Sequence, residues 1–569
     1  MIKFKDIPFL RLDMESYKRH FEEELNRFSN AATMEEAYDA LLDLDTLMVK
    51  YQTMATICEI RNTMDVTDAF YKEEAEWCDK IRPEYEALEN RLSSAMEKTP
   101  FREQLSYFTG KESFRKAALK EQCFSEEIVE DLREENRLSA RYSEITATLK
   151  AKTKEGEVPL VNLSRMGASE NREERAEYYR IWGESWKGIA EELDQIYDGL
   201  VKVRSRIAKK LGKESYTQIG YCAMERTSYG KKEVTAFRNA VKEQLVPVVT
   251  KLFEEQRKRL GVETLYHYDE DFSFPGEKYD ITDNIVEAFK GIYDDMSKET
   301  SVYYDELTRG EYYDLAVRPG KINGAYSNMV GRYNMPFIFE TYNGTFGALK
   351  TFAHETGHGF HSYLKRGVPF RFTESCGSDL AEIHSMSMEF LVWPYLDQVM
   401  PEEQTDRYRY QHLKTALSFI PYGCAVDEFQ EKVYDHPEMT PEERLQLWKK
   451  LEEEYTPFRH YEDHGFLSEG RFWQRQVHIY KWPFYYIDYV LAQTCALQVH
   501  FLSEEDREKG WNCYMDILRY SGNYGFTDTL HKAGLRVPFE DGVIRELAEK
   551  AVAQMDQLSK GIQGGDHNE

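Results

Sequence analysis

Residues 351–364 read TFAHETGHGFHSYL, and within them His354, Glu355, Thr356, Gly357 and His358 form an HExxH pattern. Two histidines four apart on a helix stand one turn above each other, so both imidazoles can reach one metal ion. Glu355 is turned by about 100° from His354 around the same helix. It can stand beside a metal without ligating it and act on the water that the metal activates. With 14 histidines in 569 residues, chance supplies on the order of 0.03 such patterns, too few to read these as ordinary core or surface histidines. Gly357 lowers helix propensity by about 1 kcal/mol relative to alanine. Its presence here predicts close approach of another backbone or of a substrate.

A catalytic zinc ion needs a third protein ligand and one open position. The acids of RFTESCGSDLAEIHSMSMEFL supply four candidates, Glu374, Asp379, Glu382 and Glu389, among which spacing alone does not choose. Glu382 lies 24 residues past His358, on a predicted helix with Leu380, Ile383, Met386 and Phe390. His361 shares a face with His354 and His358. Three ligands on one straight helix, however, spread over about 10 Å, too far for bonds of about 2 Å, so His361 reads as packing or as support for other ligands. His384, two residues past Glu382, points elsewhere. Cys376 reads as a small buried residue rather than a nucleophile, because no paired His/Asn arrangement accompanies it.

The elements that must position these residues are mainly helical. Thr33 to Glu36 is a capping-box start, with hydroxyl and carboxylate satisfying backbone donors reciprocally. Ala37, Leu41, Leu44, Met48, Tyr51, Ala55 and Cys58 follow at helical spacing. Trp182, Trp186, Ile189, Leu193, Ile196, Leu200, Val203 and Ile207 predict a second long helix ending near Leu211-Gly212. Residues 145–164 alternate around Glu155-Gly156 and predict a hairpin. Residues 321–345, rich in Gly, Asn, Tyr and Phe, predict short strands with turns just ahead of the metal motif. The strand over Met335 to Asn343 is a candidate to pair with a substrate backbone.

A net charge of −27 argues against nucleic acid and anionic membrane surfaces as partners. No run approaches the ~20 apolar residues of a membrane span, and the first residues lack the apolar core of a secretory signal. Eight scattered cysteines without a CxxC pair predict reduced, mostly buried thiols and a cytoplasmic protein. Oligomeric state is not legible.

Taken together, HETGH, Glu382 within AEIHSMSMEFL, the upstream PGKINGAYS and MPFIFETYNG, and the downstream HIYKWPFYYIDYVLA resemble the M3 family of zinc metallopeptidases. This is the thimet oligopeptidase and oligoendopeptidase F family, and the likeness is to its shorter bacterial oligoendopeptidase F and Pz-peptidase branch. It is strong from about Glu170 through HIYKWPFYYIDY, and one of helical pattern over the first 150 residues. The resemblance implies a mainly α, two-lobed metallopeptidase with a deep substrate channel and a small β-sheet next to the HExxH helix. It implies one Zn2+ per chain held by His354, His358 and Glu382, with Glu355 as general base. It also implies that His478, Tyr486 and Tyr489 assist at the substrate carbonyl. Tyr485 competes with those tyrosines and, with Asn343 and Gly324, is a candidate for substrate contact. By pattern alone FYYIDY is equally an aromatic core helix.

The implied activity is that of a zinc-dependent metalloendopeptidase. It cleaves internal bonds of short unfolded oligopeptides through a metal-activated water and excludes folded proteins. The alternatives are a helical zinc metallocarboxypeptidase and a non-catalytic peptide-binding protein. The expected organisation is an N-terminal helical region, 1–165, ending in the hairpin, followed by a catalytic region, 166–569. One departure stands out. The turn before His354 reads GALK, Gly347 to Lys350, without the acid that family members often carry there. The carboxylate orienting an imidazole is therefore expected from Asp379 or Glu389.

Overall fold

The computed structural model describes residues 2–154, 156–276, 278–371, 376–462 and 465–565. Glu155 at the expected hairpin turn and the candidate ligand Glu374 lie outside the described residues. The architecture is mainly α, with one two-stranded and one three-stranded sheet among the described residues.

Packing divides the chain into two units, each discontinuous in sequence. The first comprises Met1–Gln122, Tyr279–Thr405 and Cys495–Val537; the second comprises Cys123–Lys278, Asp406–Thr494 and Pro538–Glu569. This differs from a single cut at 165/166. Residues distant in the chain pack together, and order along the sequence does not disclose such returns.

In the first unit, helices Met14–Ser29, Met34–Met64 and Ala69–Lys98 close over a core that includes Phe21, Leu41, Leu44, Leu88 and Leu92. The predicted stripe from Ala37 to Cys58 is buried, with Ala55 half-buried. The cap differs in one detail. Thr33 accepts from Glu36 N at 3.2 Å, but the Glu36 carboxylate reaches back to Ala32 N at 2.8 Å, one residue beyond the expected partner.

Residues 145–164 form the hairpin β1 (Lys150–Thr153) and β2 (Gly156–Pro159), antiparallel and within the second unit. The long helix expected over Trp182 to Ile207 is two, Arg172–Lys187 and Ala190–Lys210. They meet at Gly188 and Ile189, where an apolar stripe continued across the break and masked it. Two cysteines also depart from the expected all-thiol state: Cys123 and Cys222 pair as a disulfide, with a Cα–Cα distance of 6.3 Å. No helix among the described residues is long and apolar enough to cross a membrane.

The second sheet belongs to the first unit. It contains β3 (Tyr313–Asp314), β4 (Ala325–Val330) and β5 (Met335–Glu340) in the order β3-β5-β4. β5 pairs antiparallel with β4 from Ala325↔Glu340 to Val330↔Met335, and parallel with β3 at Ile338 and Phe339. Every residue of β5 is buried, which explains the unbroken apolar run MPFIF. The strand expected to meet a substrate backbone is therefore the central one, and β4 is an outer strand of the sheet.

Candidate metal centre

The HExxH motif lies in the helix Phe346–Leu364. Its start is built locally. Asn343 Oδ1 accepts from Thr345 N (3.2 Å) and Thr345 Oγ1 (2.7 Å), and Thr345 caps the helix by accepting from Ala348 N at 3.3 Å. Asn343, a candidate for substrate contact, thus spends its side-chain oxygen on this turn. Thr356 is fully buried, bonded to Tyr293 Oη at 2.7 Å and to the helix carbonyl of Phe352 at 2.8 Å. The sheet flanks the same helix: a Cβ on Gly359 would lie 2.9 Å from Ile338 Cδ1 of β5.

A return helix, Ser378–Leu391, packs against the motif helix. Gly357 marks the point of contact. A Cβ there would lie 2.8 Å from Met388 Cβ and 2.9 Å from both His384 O and Ser385 Cα. The close approach anticipated at this glycine is therefore that of another helix. It brings Glu382 over the two histidines. Glu382 Oε2 lies 3.2 Å from His354 Nε2 and 3.5 Å from His358 Nε2, and one donor atom from each of the three lies within 4.8 Å of the others. Ser385 Oγ donates to the same carboxylate oxygen at 3.2 Å.

Glu389 completes the arrangement. It lies seven residues, about two turns, past Glu382 and so shares its face. His354 Nδ1–H donates to Glu389 Oε1 at 2.7 Å. That bond orients the ring and turns Nε2 toward His358 and Glu382. Glu389, one of two acids expected to replace the missing one in GALK, holds this imidazole. Asp379 instead accepts from Leu380 N at 2.8 Å.

The electrostatics follow from burial and crowding. Burial opposes charge on His354, yet Glu382 and Glu389 together hold its pKa up to about 10. Burial likewise opposes the charge of Glu382, but His358 and His354 keep it well below the usual carboxylate range. Two imidazoles and one carboxylate, one imidazole already oriented through its other nitrogen, form a donor set that fits a zinc-class divalent cation. Burial raises the Glu355 carboxyl, against the pull of His354 and His358. Glu355 is thereby moved toward the range in which a carboxylate works as a general base.

Two further groups escaped the sequence reading. Glu340, the last residue of β5, is buried, and burial reinforced by Glu355 pushes its pKa up to about 9. Lys321 donates to Glu340 O (2.8 Å), Asp314 O (2.9 Å) and Asp314 Oδ1 (3.0 Å), tying β3 to the end of β5. The only signal for Glu340 was an acid closing an apolar strand. Gly324, the other candidate in this region, immediately precedes β4 with φ +148° and open space where a Cβ would project.

His478, Tyr485, Tyr486 and Tyr489 belong to the second unit, and the metal-ligand cluster to the first. The three tyrosine rings gather around His478, whose ring centre lies 5.5 Å from that of Tyr485, 5.2 Å from that of Tyr486 and 5.7 Å from that of Tyr489. Tyr422 Oη donates to Gln476 Oε1 at 3.0 Å, which orients the amide so that its Nε2 donates to His478 Nδ1 at 2.8 Å. His478 then carries its proton on Nε2, as a donor. Tyr486 and Tyr489 open the helix Tyr486–Glu505, whose first turn is anchored by the buried ion pair between Asp488 and Arg226 at 2.6 Å.

Comparison with known proteins follows the same lines. The model of peptidase family M3 matches residues 165–549, and that of the peptidase M3 N-terminal domain matches residues 4–124. An oligoendopeptidase F homolog of Borreliella burgdorferi is 26% identical over 322 residues, 54% of this chain and 52% of that protein. The plasmid oligoendopeptidase F of Lactococcus lactis subsp. cremoris is 24% identical over 427 residues, 70% of this chain and 67% of that one. The match thus spans about half the length of the first relative and about two thirds of the second. The solved structure of Pz peptidase A with an inhibitor is 38% identical, covers 98% of this chain and 99% of its own, and superposes with a TM-score of 0.92.

Proposed function

The chain belongs to peptidase family M3, and from that premise we propose that it is a zinc-dependent endopeptidase of short unfolded oligopeptides that excludes folded proteins. The observation that carries this reading is the convergence of His354 Nε2, His358 Nε2 and Glu382 Oε2, with Glu355 buried beside them. These three residues would hold one zinc ion per chain, which supplies Lewis acidity for the water and for the scissile carbonyl.

The remaining work falls to the chain's own side chains. Glu355 takes a proton from the attacking water and delivers it to the leaving amine. Glu389 holds His354 in the ligating tautomer. A hydroxyl from Tyr486 or Tyr489, with His478 Nε2–H, stabilises the charge that develops on the carbonyl oxygen. The substrate backbone runs along β4, where Gly324 leaves the strand's start uncovered. The similarity to oligoendopeptidases F supports the substrate class.

The test uses a ten-residue peptide capped at both ends, with Glu355→Gln beside the parent. Cleavage of the capped peptide by the parent separates an endopeptidase from a carboxypeptidase, and equal cleavage of a folded protein would remove the size rule. Glu355→Gln keeps bound zinc and loses hydrolysis; full turnover by this variant overturns the reading.

A further inference from the structure

Three residues that the first metal site leaves out converge on a place of their own. His361 lies in the last turn of the motif helix, His384 in the return helix, and Cys376 two residues before that helix begins. One nitrogen from each histidine and the Cys376 sulfur lie within 4.8 Å of one another. The two imidazole rings stand 3.9 Å apart, tilted by 34°. We propose that His361, Cys376 and His384 form a second cation site, with two nitrogen donors and one sulfur donor, for a borderline-soft divalent ion of the zinc class.

Each donor is prepared for ligation in a different way. His361 Nε2 is buried and has no hydrogen-bond partner among the described residues, a state that a cation relieves. Burial, with Lys365 adding to it, lowers the His361 pKa to about 3, so the ring is neutral, as a ligand must be. Ser521 Oγ donates to Ile517 O at 2.7 Å, so its lone pair is left to accept from His384 Nε2–H at 2.9 Å. That arrangement places the His384 lone pair on Nδ1, with the opposite nitrogen held from behind as in oriented metal-binding histidines. Cys376 is a free thiol, half-buried. Burial raises its pKa to about 11, which leaves it protonated without a cation. Binding therefore replaces the S–H bond by a sulfur–metal bond and releases the proton to solvent. Two imidazoles and a thiolate suit zinc-class ions better than magnesium or calcium, which prefer oxygen donors.

Cobalt(II) tests this on the full chain after chelator stripping, because a thiolate bound to cobalt gives a near-ultraviolet charge-transfer band that imidazole and carboxylate do not. The expected result is two cobalt ions per chain with that band present. Cys376→Ser abolishes the band and one equivalent while the other stays bound. Glu382→Gln does the reverse, losing an equivalent and keeping the band, so failure at the first site is distinguished from failure here. His361→Gln reads the same site without touching the thiol and weakens the band-forming equivalent at least tenfold. It decides the matter if Cys376→Ser does not fold. A single equivalent with no thiolate band, or a band that survives both Cys376→Ser and His361→Gln, overturns the proposal.

Discussion

Replacing Gly357 by alanine sets two physical effects against each other, and their signs differ. By helix propensity alone the change stabilises the motif helix by about 1 kcal/mol. The new Cβ, however, would lie 2.8 Å from Met388 Cβ and 2.9 Å from His384 O and Ser385 Cα. Carbon atoms settle at about 3.5–4.0 Å, so relief of the 2.8 Å contact requires about 0.7–1.2 Å of movement. Two of the three opposing atoms are backbone, and a rotamer change cannot supply it; the return helix itself must move. Overpacking of this kind costs about 1–3 kcal/mol, which outweighs the propensity gain. Glu382 lies one turn before Ser385 on the moving helix. Metal–ligand distances tolerate only about 0.2 Å, so Gly357→Ala should weaken zinc binding by at least about tenfold, or 1.4 kcal/mol. Competition against a chromogenic chelator gives the zinc Kd, and thermal unfolding with and without zinc gives stability. Gly357→Ala with a higher metal-free Tm and an unchanged zinc Kd would refute the view that this contact sets the ligand geometry.

Three other perturbations probe the surrounding groups. Glu389→Ala, which frees His354 Nδ1, should cost about 10–100-fold in metal affinity or turnover. Glu389→Gln, keeping an acceptor, should cost less; equal parental values for both variants would detach Glu389 from the site. Glu340, held protonated in the fold up to about 9 against an ordinary value of 4.5, binds more protons folded than unfolded between those values. Its contribution to the stability of the metal-free protein is therefore complete below pH 4.5 and is lost as pH rises toward 9, by up to about 1.4 kcal/mol per pH unit. Denaturant titrations across that window should show a flatter profile for Glu340→Gln than for the parent, and parallel profiles would count against the assignment. Of Tyr486→Phe and Tyr489→Phe, at least one should lose about 10²–10³ in kcat with little change in KM; full kcat in both would exclude the tyrosines from carbonyl stabilisation.

What could be read from the residues follows the range over which each contact is determined. His354, Glu355 and His358 were legible because the relation among them is set inside one helix. Glu382 was one acid among four until the resemblance selected it, since its position depends on where a second helix crosses the first. Gly357 was the local trace of that crossing, as a residue that weakens its own helix is kept where another backbone needs the space. Glu389 was half-legible: the missing acid in GALK called for a substitute, and the seven-residue spacing from Glu382 puts both carboxylates on one helical face. Glu340, the central placement of β5 and the helix break at Gly188 were hidden, because pairing and burial across distant segments decide them. His361, Cys376 and His384 show the same limit from the other side. Taken singly, they are a rival ligand, a ring that points away from Glu382 and a buried thiol, and nothing local relates one to another. Their convergence arises from the same helix crossing that assembles His354, His358 and Glu382. A shift of the return helix should therefore disturb both clusters at once. In Gly357→Ala the thiolate–cobalt band should weaken along with the first equivalent, whereas Glu389→Ala, which acts through His354 alone, should leave that band intact.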